Sequence, residues 1–432
     1  MRGEPAVDTT GSQPDSSYAW VRLAAALMLG TIGGVGMWSY AVVLPSVQAE
    51  FGVSRGWASV PYAACMLGFG FGGILMGRLS DRLGIYIPIV IGGIMLGIGY
   101  TLAGLSQSLL QFTLAQGLLI GLLGSSSVFG PLMADISRWF VARRGLAVGI
   151  CASGNYVAGT VWPPVVQHFV ETVGWRTTHV GIGLFCVLAM LPLAVIIRRP
   201  APQQSAAGET QRATAAAQSV TAAPMSHTTI MALLLIAGFA CCMAMAMPQV
   251  HLVAYCGDLG YGPARGAQML SLMMAMGVVS RLLSGWICDR IGGLATLLLG
   301  SVLQAVALLL YLPFDGLASL YLISALFGLF QGGIVPSYTI IVREYFPARE
   351  AGARVGLVLF ATLVGMALGG WSSGRIFDLT GSYQAAFLHG ILWNLVNGAI
   401  VVWLIVRLGR PGRSQPSAEP RAESDAGSHA RA

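Results

Sequence analysis

Arg281 carries the most chemical meaning in this sequence. It stands in an apolar segment, Gly266 to Cys288, that is long enough to cross a bilayer, and it is the only charge there. A guanidinium in hydrocarbon costs about 3 kcal/mol or more. Arginine cannot shed its proton to escape that cost, and its planar fork matches a carboxylate. Residue type and place together point to recognition of an anion. Tyr338, at nearly the same depth in the tenth apolar segment, can hydrogen-bond a carboxylate and pack its ring on a short aliphatic chain. Asn155 and Tyr156 fall near mid-depth in the fifth segment, where an amide needs a partner. Phe129 in the fourth segment and Phe360 in the eleventh are candidates for an apolar wall, and Tyr40 sits in the outer third of the first. His251 and Tyr255 at the outer end of the seventh are, with Tyr40, candidates for an outer gate, and His251, which titrates near neutral pH, is the candidate proton carrier. A packing role competes with each of these readings. For Arg281 the competitors are snorkelling or an ion pair with a buried acid, of which Asp135 is the nearest.

These side chains need apolar elements to hold them. The chain is 55% hydrophobic and 9% charged, against roughly 25% charged for a soluble domain. Twelve stretches of bilayer length begin near Trp20, Trp57, Pro88, Phe112, Gly145, His179, Thr228, Gly266, Thr296, Ala318, Gly352 and Tyr383, which predicts an all-α membrane protein. Residues 1–18 read as a polar tail rather than a signal peptide. The Ala-, Gln-, Ser- and Thr-rich residues 200–227 read as a flexible linker, and 409–432 as a second tail. That leaves two apolar bundles, 19–199 and 228–408.

The net charge is +7 and no lysine occurs. With both termini inside, Arg78, Arg82, Arg138, Arg143, Arg144, Arg198, Arg199, Arg290, Arg343, Arg349, Arg354, Arg407 and Arg410 fall on the cytoplasmic face, against Arg55, Arg176, Arg265 and Arg375 outside. This is a positive-inside bias, so the basic balance is a topology signal and not a nucleic-acid footprint. It predicts a multi-pass plasma-membrane protein, in a bacterium the inner membrane, with cytoplasmic termini. The seven cysteines form no metal-ligand pattern, and no phosphate-binding loop is visible. No metal, cofactor or reaction on a substrate is expected.

The halves are duplicated. Gly77-Arg78-Leu79-Ser80-Asp81-Arg82-Leu83-Gly84 recurs as Gly285-Trp286-Ile287-Cys288-Asp289-Arg290-Ile291-Gly292, 208 positions later. Arg138-Trp139-Phe140 with Arg143 and Gly145 is matched at nearly the same offset by Glu344-Tyr345-Phe346 with Arg349 and Gly352. Two motifs in the same order and spacing predict six-plus-six helices in parallel halves, with a site between them. In the first half the place of Arg281 is taken by Gly73, so the scaffold itself does not require the charge. Arg281 lies about 12 Å above Asp289 along a helix.

The paired G-x-L-x-D-R-x-G loops resemble the signature of the major facilitator superfamily, over about residues 19–408. Trp139-Phe140-x-x-Arg143-Arg144-Gly145-Leu146-Ala147, Gly174-Trp175-Arg176 and Gly374-Arg375-Ile376-Phe377-Asp378-Leu379-Thr380-Gly381-Ser382-Tyr383 are similar to segments of its monocarboxylate and oxalate/formate-type branch. The resemblance implies alternating access to a small organic anion, with an arginine in helix eight, here Arg281, binding the carboxylate. It implies proton symport for a monocarboxylate carrier, or anion exchange for an oxalate/formate-type antiporter. A proton-driven drug exporter is the remaining alternative, although its cavity acids are missing here. Animal monocarboxylate carriers place an aspartate one turn before that arginine and a lysine in helix one; this chain has Gly277 and no lysine. Oxalate carriers place a second cation in helix eleven, absent from Val355 to Gly374. Asp81, Arg82, Asp289, Arg290, Arg143 and Arg144 are the expected inner gate, their carboxylates on helix N-termini. The expected partners are a small organic anion, protons and the bilayer, and the carrier is expected to work as a monomer.

Overall fold

The computed structural model describes residues 14–201 and 225–408, without the side chains of Ala348 and Arg349. Most of both expected tails, most of the 200–227 linker and the Arg349 side chain of the second repeat therefore lie outside the described residues.

Among those residues the secondary structure is helical, and twelve rods follow the predicted segments. They are α1 (Ser17–Phe51), α2 (Arg55–Leu83), α3 (Tyr86–Leu105), α4 (Leu109–Trp139), α5 (Arg144–Val173) and α6 (Trp175–Ile196), then α7 (His227–Asp258), α8 (Pro263–Ile291), α9 (Gly293–Leu310), α10 (Leu317–Tyr345), α11 (Ala348–Thr380) and α12 (Tyr383–Leu408). Eleven are long and apolar enough to cross a membrane. The other, α5, spans 30 residues and carries Asn155, Gln167, His168 and Glu171, the polarity expected of a helix facing a cavity.

The repeated motif ends both α2 and α8 on a glycine with positive φ, Gly84 at 76° and Gly292 at 85°. A side chain is strained there, which is why both copies keep glycine. Within each half, glycines let backbones touch. A Cβ on Gly68 or Gly72 of α2 would lie 2.2 or 2.0 Å from the carbonyl oxygens of Gly117 or Leu122 in α4. The second half repeats this contact: a Cβ on Gly328 of α10 would meet the Met273 carbonyl of α8 at 1.9 Å. Four rods are interrupted. α1 breaks at Gly34, α2 at Ser59 and α10 at Gly332–Gly333. α4 widens into π turns over Ala115–Gly124, tightens through Ser125–Val128, and restarts as a regular helix at Gly130.

Between halves, α1 packs on α7, α2 on α11 and α5 on α8. The arginine bias assigns the ends of α2 and α8 that carry the repeated motif to the inner, cytoplasmic face.

Candidate functional site

α8 carries Arg281 to the interface, and α5 of the other half receives it. Its Nη1 donates to the Ala152 carbonyl at 3.0 Å, and its Cζ lies 4.4 Å from the centre of the Tyr156 ring. Nε is buried and has no hydrogen-bond partner. No carboxylate pairs with Arg281 among the described residues. Asp135, the nearest acid expected for it, is engaged elsewhere. Arg22 of α1 grips it with two bonds of 2.7 and 3.0 Å, both side chains being 2% exposed or less. The guanidinium of Arg281 is thus a held cation whose charge is unmatched.

Asn155 is next to Tyr156, and Trp38 of α1 fixes it by donating Nε1–H to its backbone oxygen at 2.9 Å and to Oδ1 at 3.2 Å. Asn155, Phe129, Phe69, Met37 and Cys151 line one small cleft on the first half. Phe129 stands at the restart of α4, its ring 5.9 Å from that of Phe69. Phe360 of α11 packs across the interface, 4.8 Å from Phe71 and against Gly70.

Two expected cavity residues are turned elsewhere. Tyr338 is 1% exposed and donates its hydroxyl to Asn397 Oδ1 at 3.1 Å, within the second half. Asn397 passes the network on to Ser301 Oγ at 2.7 Å. Tyr40 is fully buried beside Phe112, its hydroxyl on the Ala58 carbonyl. In this conformation each phenol proton is committed to a protein acceptor, so neither is free to bind an anion.

The outer face is shut by a cluster that sequence reasoning did not assemble. Arg55, at the start of α2, donates to both oxygens of Asp258 at 3.1 and 3.3 Å and to the Tyr383 hydroxyl at 2.5 Å. Asp378 of α11 accepts the backbone N–H groups of Arg55 and Gly56 at 2.7 and 2.8 Å. It caps the N-terminus of α2 from the other half, a favourable place for a carboxylate. His251 lies behind this latch. Its Nε2 donates to the Gly370 carbonyl at 2.8 Å, and Nδ1 faces the Tyr383 hydroxyl at 3.4 Å. The expected proton carrier therefore belongs to the outer gate and not to the Arg281 cluster. The signal was legible in principle, as an arginine and two aspartates at outer helix ends, but nothing in their spacing paired them.

The inner face is open. Asp81, Arg82, Asp289, Arg290, Arg143 and Arg144 are all exposed. Arg290 lies 3.5 Å over its own helix's Trp286, and Arg144 reaches Ser137 at 3.2 Å. A Cβ on Gly73, Gly145, Gly149, Gly285, Gly352 or Gly356 would meet nothing within 4 Å. The expectation that these charges hold the inner gate shut does not describe this conformation, in which the inner ends of the halves have parted.

The family model of the major facilitator superfamily matches residues 26–321 and 294–430. This chain belongs to that superfamily. It is a multi-pass membrane transporter with two six-helix bundles. It is 27% identical to monocarboxylate transporter 13 of Rattus norvegicus over 404 residues, covering 90% of each chain. It is 28% identical to human monocarboxylate transporter 11, covering 94% of this chain and 86% of the relative. Among solved structures, a peptide transporter in complex with sulfate overlays 94% of this chain with a TM-score of 0.73 at 14% identity. An inward-facing bacterial Spinster homologue overlays 91% with a TM-score of 0.67 at 16% identity. At such identities these two likenesses concern the fold alone.

Proposed function

We propose that this transporter moves a small monocarboxylate across the plasma membrane by alternating access, with Arg281 as the carboxylate anchor. The observation that carries the reading is a cation at the interface of the halves, with an N–H left unpaired and, among the described residues, no acid paired with it. A buried unpaired donor costs about 1–3 kcal/mol, and a substrate carboxylate would remove that cost while matching the charge. The monocarboxylate transporters among its relatives support the same substrate class. Phe129 and Phe360 suit an apolar or hydroxylated tail, with Asn155 a polar contact in the cleft it shares with Phe129. Proton symport is the energising mode in this reading, with His251 of the outer gate as the carrier. Asp81, Arg82, Asp289, Arg290, Arg143 and Arg144 would close the inner face in the opposite state. Exchange of anions is the second reading, and it is favoured by Gly277, which leaves no acid one turn from the anchor to take up a proton.

The test is uptake of labelled carboxylates into proteoliposomes, with and without an inward proton gradient. Lactate, pyruvate or butyrate should accumulate only with the gradient. Accumulation driven solely by a trapped counter-anion would select exchange. Absence of any carboxylate flux would overturn the substrate class.

A further inference from the structure

Along the antiparallel pair α5 and α8, contacts step inward in register. Ser271 donates to the Thr160 carbonyl, Met274 packs on Gly159, Gly277 faces Tyr156, and Arg281 reaches Ala152. Below that level Gly149, Gly145 and Gly285 face open space. Arg281 and Tyr156 therefore occupy the point where the halves part. The Tyr156 ring fills the room that a side chain at 277 would need: a Cβ there would lie 2.3 Å from Cε1 and 2.5 Å from Cδ1. The same ring carries the guanidinium 4.4 Å above it.

We infer that Tyr156 is a positioning residue for the anion anchor, and that Gly277 is the gap that admits its ring. The inference rests on the reading of Arg281 as that anchor. A long arginine side chain in a cavity open to the inner face is free to swing toward water. An aromatic face attracts the cation, and the Ala152 carbonyl fixes one nitrogen. Neither carries a net charge. The guanidinium is held at depth without being neutralised, so no internal anion competes with the substrate. The seat comes from one half and the anchor from the other, so the anchor is set only while α5 and α8 touch at this level.

The experiment uses the full-length protein in nanodiscs. Modification of Arg281 by phenylglyoxal is followed by peptide mass spectrometry, beside uptake of labelled lactate into proteoliposomes. Tyr156→Phe keeps the ring and should lie closer to wild type than to Tyr156→Leu in both measurements. Tyr156→Leu should speed modification and raise KM by about ten-fold, with kcat and melting temperature little changed. Gly277→Ala should fall between them. The combination G277A/Y156L should be no worse than Tyr156→Leu alone, because the clashing ring is gone. Equal modification rates in all variants would overturn the seat, whatever the cargo. A fully additive double variant would overturn the role of Gly277. If modification depends on Tyr156 but lactate, pyruvate, butyrate and benzoate are neither transported nor protective, the monocarboxylate reading falls and the seat stands.

Discussion

Arg22, fully buried, and Arg281, partly buried, meet opposite fates. Arg22 is matched by Asp135 and cradled further by the Arg199 carbonyl at 3.0 Å and the Trp139 ring at 4.7 Å. Arg281 has one carbonyl, the Tyr156 ring and, among the described residues, no acid. The first arrangement is structural and the second receptive, and the two should separate in experiment. Arg22→Met strands a buried carboxylate and should lower stability by about 3–5 kcal/mol, read as a fall in melting temperature of the purified protein. Adding Asp135→Asn should restore much of the loss. Arg281→Ala removes an unmatched charge, so the protein should reach the membrane folded and melt no earlier than wild type. Its carboxylate uptake should fall by about 10–100-fold or more. Arg281→Lys should be impaired as well, since one ammonium does not reproduce a planar fork. Wild-type uptake by Arg281→Ala would remove it from the site.

At the scale of elements, interruptions and glycines decide where helices approach. α11 reaches the start of α2 because both partners there are glycines: a Cβ on Gly374 would lie 2.8 Å from the Arg55 carbonyl, and one on Gly56 would lie 2.9 Å from Asp378 Oδ2. That approach delivers Asp378 to the two backbone N–H groups. Asp378→Asn keeps the shape but removes the charge, leaving one acceptor oxygen for two donors. The latch should weaken by about 1–3 kcal/mol, shifting molecules toward the outward-open state. A cysteine at Ser59, fully buried beneath this contact, reports the shift. Its labelling by an impermeant maleimide from outside should accelerate several-fold in Asp378→Asn. An unchanged rate would mean that the Arg55–Asp258 pair holds the face shut without Asp378.

At the scale of the molecule, the halves touch outside and part inside, so Arg281 is accessible from the face assigned to the cytoplasm. That assignment rests on the arginine asymmetry. A cysteine introduced at Ser205, in the linker outside the described residues, should resist an impermeant reagent applied to intact cells, and ready labelling would invert the topology. The unmatched charge of Arg281 also bounds the cargo. A second carboxylate would enter the low-dielectric cavity uncompensated, at a cost of roughly several kcal/mol. Short monocarboxylates should therefore displace a labelled substrate far better than oxalate or succinate. If fully ionised dianions compete best, another cation takes part, and Arg354 of α11, which now pairs with Glu350 at 2.6 Å and would have to leave it, is the first to examine.

The sequence alone determined the twelve spans, the duplication, the two-half architecture and the singular status of Arg281. Each of these is written locally, in runs of apolar residues, in a motif repeated at a fixed offset, or in one charge among hydrocarbon side chains. Tertiary structure decided which side chains share a space. Tyr338 and Arg281 were matched in depth, but depth along a rod says nothing about rotation around it, and the Tyr338 hydroxyl turned to Asn397. Tyr40 and His251 were legible as candidates for the outer gate; that Tyr40 joins the core and that His251 sits behind an Arg55–Asp258 latch came only from the packing. Arg55, Asp258 and Asp378 are each separated by more than a hundred residues from the others, so no spacing rule joins them. Gly277 read as a missing acid; only the packing of α5 on α8 shows that its absent side chain is the room in which Tyr156 sits beneath the arginine. Helix-forming pattern is a one-dimensional property, whereas the partner of a buried charge is set by how rods rotate and slide against each other, which here depends on glycines admitting backbone contact.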